Sequence, residues 1–197
     1  MIAIDNVLDY LKSNQLKTQN IRNENYHLSE VAICGFKYRH KIENNIEIPF
    51  NFNFLMGNAF ENLIVYNMRK LGNIIPQYIV RYEEFIGHTD AYDVDTKIIY
   101  ELKSSFAFKS YEDIYLRQLK AYLIANNTET GILWIYKPVK KEFTEIIVDL
   151  EEEDILNFKN NIIAFTENKY VKGIENSLCS FCENTDCPAY KKIKGII

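Results

Sequence analysis

Asp90, Glu101 and Lys103 are residue types that can hydrolyse a phosphodiester if the fold brings them together. Carboxylate oxygens bind a hard divalent cation such as Mg²⁺ or Mn²⁺, and a cation so held polarises a phosphate and lowers the pKa of a bound water. A lysine beside them would orient that water or neutralise charge developing on the phosphoryl oxygens. The local pattern permits the meeting. Phe85 to Asp93 and Lys97 to Lys103 are rich in β-branched and aromatic residues, and the polar Val94-Asp95-Thr96 between them predicts a hairpin. Side chains alternate faces along a strand, so Glu101 and Lys103 share one face while Tyr100 and Leu102 take the other. An acid and a lysine so spaced also make an ordinary surface ion pair, and spacing alone does not separate the two readings.

The cysteines form a second constellation. Cys34 stands near the start, and Cys179, Cys182 and Cys187 stand near the end as C-x₂-C-x₄-C followed by Pro188. A tight trio of thiols in a chain expected to stay in a reducing compartment reads as metal ligation before disulfide formation. Four thiolates make one complete set for either Zn²⁺ or an iron–sulfur cluster, and spacing does not choose between them. Either would clasp the Cys34 segment to the tail and restrict the unfolded chain strongly. Tyr26, Tyr38 and Arg39 beside Cys34 are of the kind that stack on single-stranded bases and hold phosphates.

Gly87-His88-Thr89-Asp90, Glu101-Leu102-Lys103-Ser104-Ser105 and Gln118-Leu119-Lys120-Ala121-Tyr122 resemble, in order and spacing, the GxxD, ExK and QxxxY motifs of RecB-like PD-(D/E)XK nucleases. The resemblance implies that Asp90 and Glu101 are ligands to Mg²⁺ or Mn²⁺, that the Leu102 carbonyl adds a ligand, and that Lys103 assists the attacking water. Gln118 and Tyr122, one helical turn apart and so on one face, would sit beside the substrate phosphate and that water. In this family a histidine that ligates metal follows a helical glycine by four positions. Gly57-Asn58-Ala59-Phe60-Glu61 keeps the glycine and presents Glu61 at the histidine's place. A carboxylate there still binds metal, favours harder cations and makes the metal-free site more negative. His88 is at most a neighbour of the ligands. One cysteine before the motifs and three after them resembles the CRISPR-associated exonuclease family and the AddB-type helicase-nucleases. That resemblance implies a 4Fe–4S cluster with a structural role on Cys34, Cys179, Cys182 and Cys187. It also implies cleavage of single-stranded DNA or DNA ends, as a 5′-to-3′ exonuclease with endonuclease action in some members. The setting would be CRISPR spacer acquisition beside an integrase complex, or repair and recombination by a free-standing enzyme of the virus-encoded kind. A function of another class stays open: a catalytically silent nucleic-acid- or protein-binding module on the same fold and cluster.

The elements have to deliver this geometry. Phe54, Leu55, Phe60, Leu63, Ile64, Met68 and Leu71 recur at helical spacing, and Gly72-Asn73 supplies a stop, so Phe52 to Leu71 is predicted as a helix. Gln77 to Glu83 reads as a strand ahead of the hairpin and Tyr111 to Ala125 as a helix. Gly131 to Lys137 and Phe143 to Leu150 read as strands around a Lys-Pro turn, and Asp154 to Glu167 as an amphipathic helix. The expected fold class is α/β: a restriction-endonuclease-like core with a mixed central sheet flanked by helices. The core would span 50–150 within a single domain of 1–197, and 27–45 together with 170–197 would form the cluster region.

Composition bounds the partners. A chain of 197 residues, 47% hydrophobic and 25% charged, is long enough for one sizeable core and typical of a soluble globular protein. No apolar run approaches the roughly 18 residues of a membrane span. Met1 to Leu16 lacks the basic start and apolar stretch of an export signal, which points to the cytoplasm. The net charge of −4 argues against holding nucleic acid by bulk electrostatics, so any contact must be local. The basic candidates are Lys37, Arg39, His40 and Lys41; Lys137, Lys140 and Lys141; and Lys191, Lys192 and Lys194. Oligomeric state is not set by the sequence.

Overall fold

The computed structural model describes residues 26–46, 52–104, 108–169 and 173–196. The N-terminal stretch 1–16, residues 50–51 of the expected core, Ser105 and 170–172 of the tail lie outside the described residues. In chain order the elements begin with β1 (Tyr26–His27), α1 (Leu28–Glu43), α2 (Phe52–Leu71), β2 (Ile74–Pro76) and β3 (Ile79–Tyr82). They continue with β4 (Phe85–His88), β5 (Ala91–Asp93), β6 (Ile99–Ser104), α3 (Phe108–Asn126), β7 (Thr130–Lys137), β8 (Glu142–Asp149) and α4 (Glu152–Thr166). A 3₁₀ turn (Ser177–Phe181) and α5 (Pro188–Ile193) close the tail.

The architecture is α/β with mixed sheets flanked by helices. A five-stranded sheet runs β2-β5-β6-β7-β8, and a three-stranded sheet runs β1-β4-β3. Strands β6 and β7 are parallel and the other pairs of the larger sheet antiparallel. The parallel pair is joined by α3, as a crossover connection requires.

Alternation along β6 and β7 sorts the two faces. Ile99, Leu133 and Ile135 pack under Leu119 and Leu123 of α3, Leu28 and Val31 of α1, and Phe158, Ile162 and Phe165 of α4. On the opposite face Leu102, Tyr100 and Trp134 meet Ile64, Val65 and Met68 of α2. Helix α2 thus forms over the expected residues, and Ile64, Val65 and Met68 cover the sheet, whereas Leu63 and Leu71 of the expected stripe are exposed.

The stretch from Phe85 to Asp93, expected as one strand of a hairpin, is two strands in two sheets. β4 pairs with β3, and β5 pairs with β2 and β6. The partner stretch breaks at the same level, between β2 and β3, where Gln77 adopts a left-handed conformation at φ 49°. Gln77 N donates to Asp90 O at 3.1 Å and Thr89 N to Tyr78 O at 2.9 Å, so pairing carries across the bend. The expected turn at Val94-Asp95-Thr96 does join β5 to β6. No helix is expected from the sequence over 28–43, yet Leu28, Val31, Ala32 and Tyr38 are buried along α1 at helical spacing. Cys34 interrupts that helix with φ −166° and ψ 95°, so the helix kinks at the first cysteine.

Candidate active site

The bend between β4 and β5 aims Asp90 across the end of β6. Leu102 N lies beyond the last residue paired with β5 and donates instead to Asp90 Oδ2 at 2.6 Å. Glu101 and Lys103 project from the α3 face of β6, as alternation requires. Lys103 Nζ lies 2.8 Å from Glu101 Oε2 and 3.7 Å from Asp90 Oδ2. From α3, Gln118 Nε2 donates to Glu101 Oε2 at 3.1 Å and to Tyr122 OH at 3.0 Å. Ser29 of α1 also bonds to Tyr122. The ring of Tyr122 lies against the backbone at Gly87, where an added Cβ would come within 2.5 Å of Tyr122 Cε1. The glycine of GxxD is therefore a matter of space, since its φ is not positive.

Glu61 reaches the same place from α2. Its carboxyl lies within hydrogen-bonding reach of Asp90, and its Oε1 accepts from Gln77 Nε2 at 2.6 Å. Five residues from the three sequence motifs, Asp90, Glu101, Lys103, Gln118 and Tyr122, are thereby brought together with Glu61. Leu102 contributes its amide to Asp90, and its side chain is buried under α2. His88 lies on the exposed face of β4, and Gly87 on the buried face.

Electrostatics follow from burial. Glu101 is wholly buried at 0% exposure, and Oε1 has no hydrogen-bond partner. Burial and then the neighbouring Asp90 carboxyl push Glu101 well above the usual carboxylate range, and the same two causes raise Glu61. Burial pulls the Lys103 ammonium down, but Asp90 and Glu101 push it up more strongly, so it stays protonated. Burial, then Glu101, raises the Tyr122 phenol.

Among the described residues, no group of three or more His, Cys, Asp or Glu side chains stands in an arrangement that could hold a metal ion as it is. At the acidic site the reason is visible: the oxygens are turned to Leu102 N, Lys103 Nζ, Gln118 Nε2 and Gln77 Nε2. The donor set still suits a hard divalent cation. It is all oxygen, and one buried carboxylate oxygen is left without a partner at an energetic cost that a cation would offset.

The four cysteines line one cavity with Ile33, Phe36, Lys37, Gly173 and Asn184. Gly173 N donates to Cys187 Sγ at 3.3 Å and Asn176 N to Cys179 Sγ at 3.5 Å. Burial raises Cys34 and Cys182, opposed by the amides of Lys37 and Ile174 at the first and by Asn184 and the Lys37 ammonium at the second. Each sulfur thus meets a backbone amide. A Cβ at Gly173 would stand 3.1 Å from Cys34 Sγ and 3.2 Å from Cys187 Sγ, so the backbone there approaches the thiols closely.

The expected base-stacking group beside Cys34 is used otherwise. Tyr38 is buried, stacks on Phe165 and accepts from His27 N at 2.9 Å. Tyr26 packs edge-on against Phe165. Arg39 bonds to Phe165 O and lies over that ring. These contacts dock α1 onto α4. The basic clusters are largely offset by neighbouring acids: Lys37 by Glu183, Lys41 by Glu30, Lys191 by Asp186 and Lys192 by Glu175. Lys140 and Lys141 in the β7–β8 turn are exposed.

Sequence reasoning missed Gln77 and Ser29. Both touch the site through single side-chain bonds from segments that carry no motif. Only the fold reveals them.

Comparison with solved structures adds the relatives. The crystal structure of SSO0001 superposes with a TM-score of 0.71 at 16% identity, over 93% of this chain and 96% of that one. LHK-Exo in complex with dAMP, an alkaline exonuclease from Laribacter hongkongensis, gives 0.58 at 13% identity, over 75% and 89%. A phage-related exonuclease from Haemophilus somnus 129PT gives 0.50 at 14% identity, over 61% and 71%. The chain has the fold of known exonucleases. At these identities the likeness is one of fold alone. No family model matches the sequence, and no curated protein matches it. Among the described residues no helix is long and apolar enough to cross a membrane.

Proposed function

We propose that the chain is a DNA nuclease dependent on Mg²⁺ or Mn²⁺, with Asp90, Glu101 and Glu61 as its metal-binding carboxylates and the Leu102 carbonyl as a further ligand. One observation carries the reading: Glu101 is fully buried with an unpartnered oxygen, inside a set of Asp90, Lys103, Gln118 and Tyr122. A structural ion pair needs no such convergence. A bound cation would supply polarisation of the phosphate and acidification of a water. Lys103, held protonated, neutralises charge on the phosphoryl oxygens, while Gln118 and Tyr122 orient the groups around it. DNA is the substrate the fold favours, since structures sharing it are named as exonucleases, one of them in complex with dAMP. Within that class the motif resemblance favours single-stranded DNA or DNA ends, 5′-to-3′ exonuclease action, and a place in CRISPR spacer acquisition or in repair and recombination.

The motif resemblance favours a 4Fe–4S cluster over zinc on Cys34, Cys179, Cys182 and Cys187, four thiols that line one cavity. The thiols, their amides and Gly173 would then tie α1 to the tail.

The test is end-labelled single-stranded and duplex DNA incubated with Mn²⁺, Mg²⁺ or chelator. Cleavage in metal that stops in chelator and is lost in Asp90→Ala supports the proposal. DNA binding without cleavage in either metal would favour the silent module instead.

A further inference from the structure

Gln77 has no place in any motif, yet it makes two bonds to the metal-binding set proposed above. Its backbone N–H donates to Asp90 O at 3.1 Å, and its side-chain amide donates to Glu61 Oε1 at 2.6 Å. It does this from the left-handed region, φ 49°, at the point where the chain leaves the five-stranded sheet for the three-stranded one. A residue other than glycine held there carries backbone strain, and glutamine gains nothing locally that glycine or asparagine would not. Its amide is the part that neither shorter residue can supply at the same reach.

We infer that Gln77 is a positioning residue that orients Glu61 as the third carboxylate of the metal site. Glu61 sits on a helix that approaches from the opposite face of the sheet to Glu101, so no strand alternation fixes it. Its carboxyl is held instead by side-chain contacts, with Asp90 and with Gln77. The Gln77 amide holds Oε1 and so fixes how the Glu61 carboxyl faces Asp90. The same residue fixes the Asp90 backbone, so the relative placement of two ligands depends on one side-chain length and one turn. Partners of this kind, one bond removed from a metal, typically alter metal affinity by about 10- to 100-fold.

The inference rests on the metal-site reading, and Mn²⁺ binding followed by the loss of the free-ion EPR signal separates the two. The full-length protein is compared as wild type, Gln77→Gly, Glu61→Gln, the double variant and Asp90→Ala. Gln77→Gly relaxes the left-handed turn and keeps its N–H, so it should fold at least as well as wild type in a thermal melt. Its Mn²⁺ affinity should fall about tenfold or more, and in the Glu61→Gln background the same change should have no further effect. Unchanged affinity in Gln77→Gly, with binding lost in Asp90→Ala, overturns the role of Gln77 alone. An equal loss with and without Glu61 also overturns it, because the effect would then run through the backbone. Full Mn²⁺ binding in Asp90→Ala overturns the metal site itself, and Gln77 with it.

Discussion

Replacing Gly87 by alanine tests the link between backbone spacing and the polar network. The new Cβ would stand 2.5 Å and 2.8 Å from Tyr122 Cε1 and Cδ1, and 2.9 Å from Val80 Cγ2. Carbon atoms rest about 3.5–4.0 Å apart, so the ring has to retreat by about 1 Å. Tyr122 is only 3% exposed, so it cannot swing into solvent. The retreat moves the phenol away from Gln118, whose amide also holds Glu101. Overpacking of this kind costs about 1–3 kcal/mol, equivalent to a fall in Tm of about 2–12 °C for a chain of this size. Misplacement of about 1 Å at a reacting group costs about 10²-fold in rate. Melting curves and cleavage of end-labelled DNA in Mn²⁺ measure both. Tyr122→Phe serves as the reference, since it removes the hydroxyl without adding volume. A Gly87→Ala protein that melts and cleaves like wild type would refute the reasoning, because the ring would then have room the packing denies it.

Asp90→Ala, Glu101→Ala and Lys103→Ala should each reduce cleavage by about 10²- to 10³-fold or more while far-UV circular dichroism stays native. Cys34→Ala, Cys179→Ala, Cys182→Ala and Cys187→Ala should each lower iron content, solubility and Tm, whereas a colourless wild-type protein with one zinc would overturn the cluster. Metal-free protein should lose stability as pH rises: Glu61 and Glu101 are raised to about 8, so the native state holds protons that the unfolded chain releases. That contribution is full below the ordinary carboxylate value and lost as pH passes through about 8. Melts in chelator from pH 5 to 9 should show the fall, and saturating Mn²⁺ should flatten it. Glu61→His should shift the ratio of cleavage in Mn²⁺ to cleavage in Mg²⁺ toward Mn²⁺, since imidazole suits the softer ion. Identical ratios in wild type and variant would leave Glu61 outside the metal shell.

The cysteine region and the acidic site are physically joined through two contacts. Ser29 lies on α1, the helix that carries Cys34, and bonds to Tyr122. Ser177, at the start of the 3₁₀ turn that carries Cys179, lies 3.5 Å from Asp113 of α3, the helix that carries Gln118 and Tyr122. Both halves of the thiol cavity therefore brace the same helix. Replacing these cysteines should for that reason lower cleavage as well as stability.

How much of this was legible depends on what a linear pattern records. Helix α2 could be read from its apolar spacing, of which Ile64 and Met68 do meet the sheet, and the facing of Glu101 and Lys103 could be read because strand alternation is a property of β6 alone. Gln118 and Tyr122 share a face for an equally local reason. The bend at Thr89–Asp90 could not be placed, because Gly87 and Asp90 weaken a continuous strand but nothing in Phe85 to Asp93 says that the two ends pair with different neighbours. That bend is what matters chemically. A straight strand would pair its Asp90 backbone with β6, whereas the switch frees the carboxylate to accept from Leu102 N and brings Asp90 up to Glu61. The motif spacing is thus compatible with a site but does not build one. The site is built where two paired stretches change sheets together, at Gln77 and at Asp90, and the strain of the left-handed Gln77 is the local mark of that change.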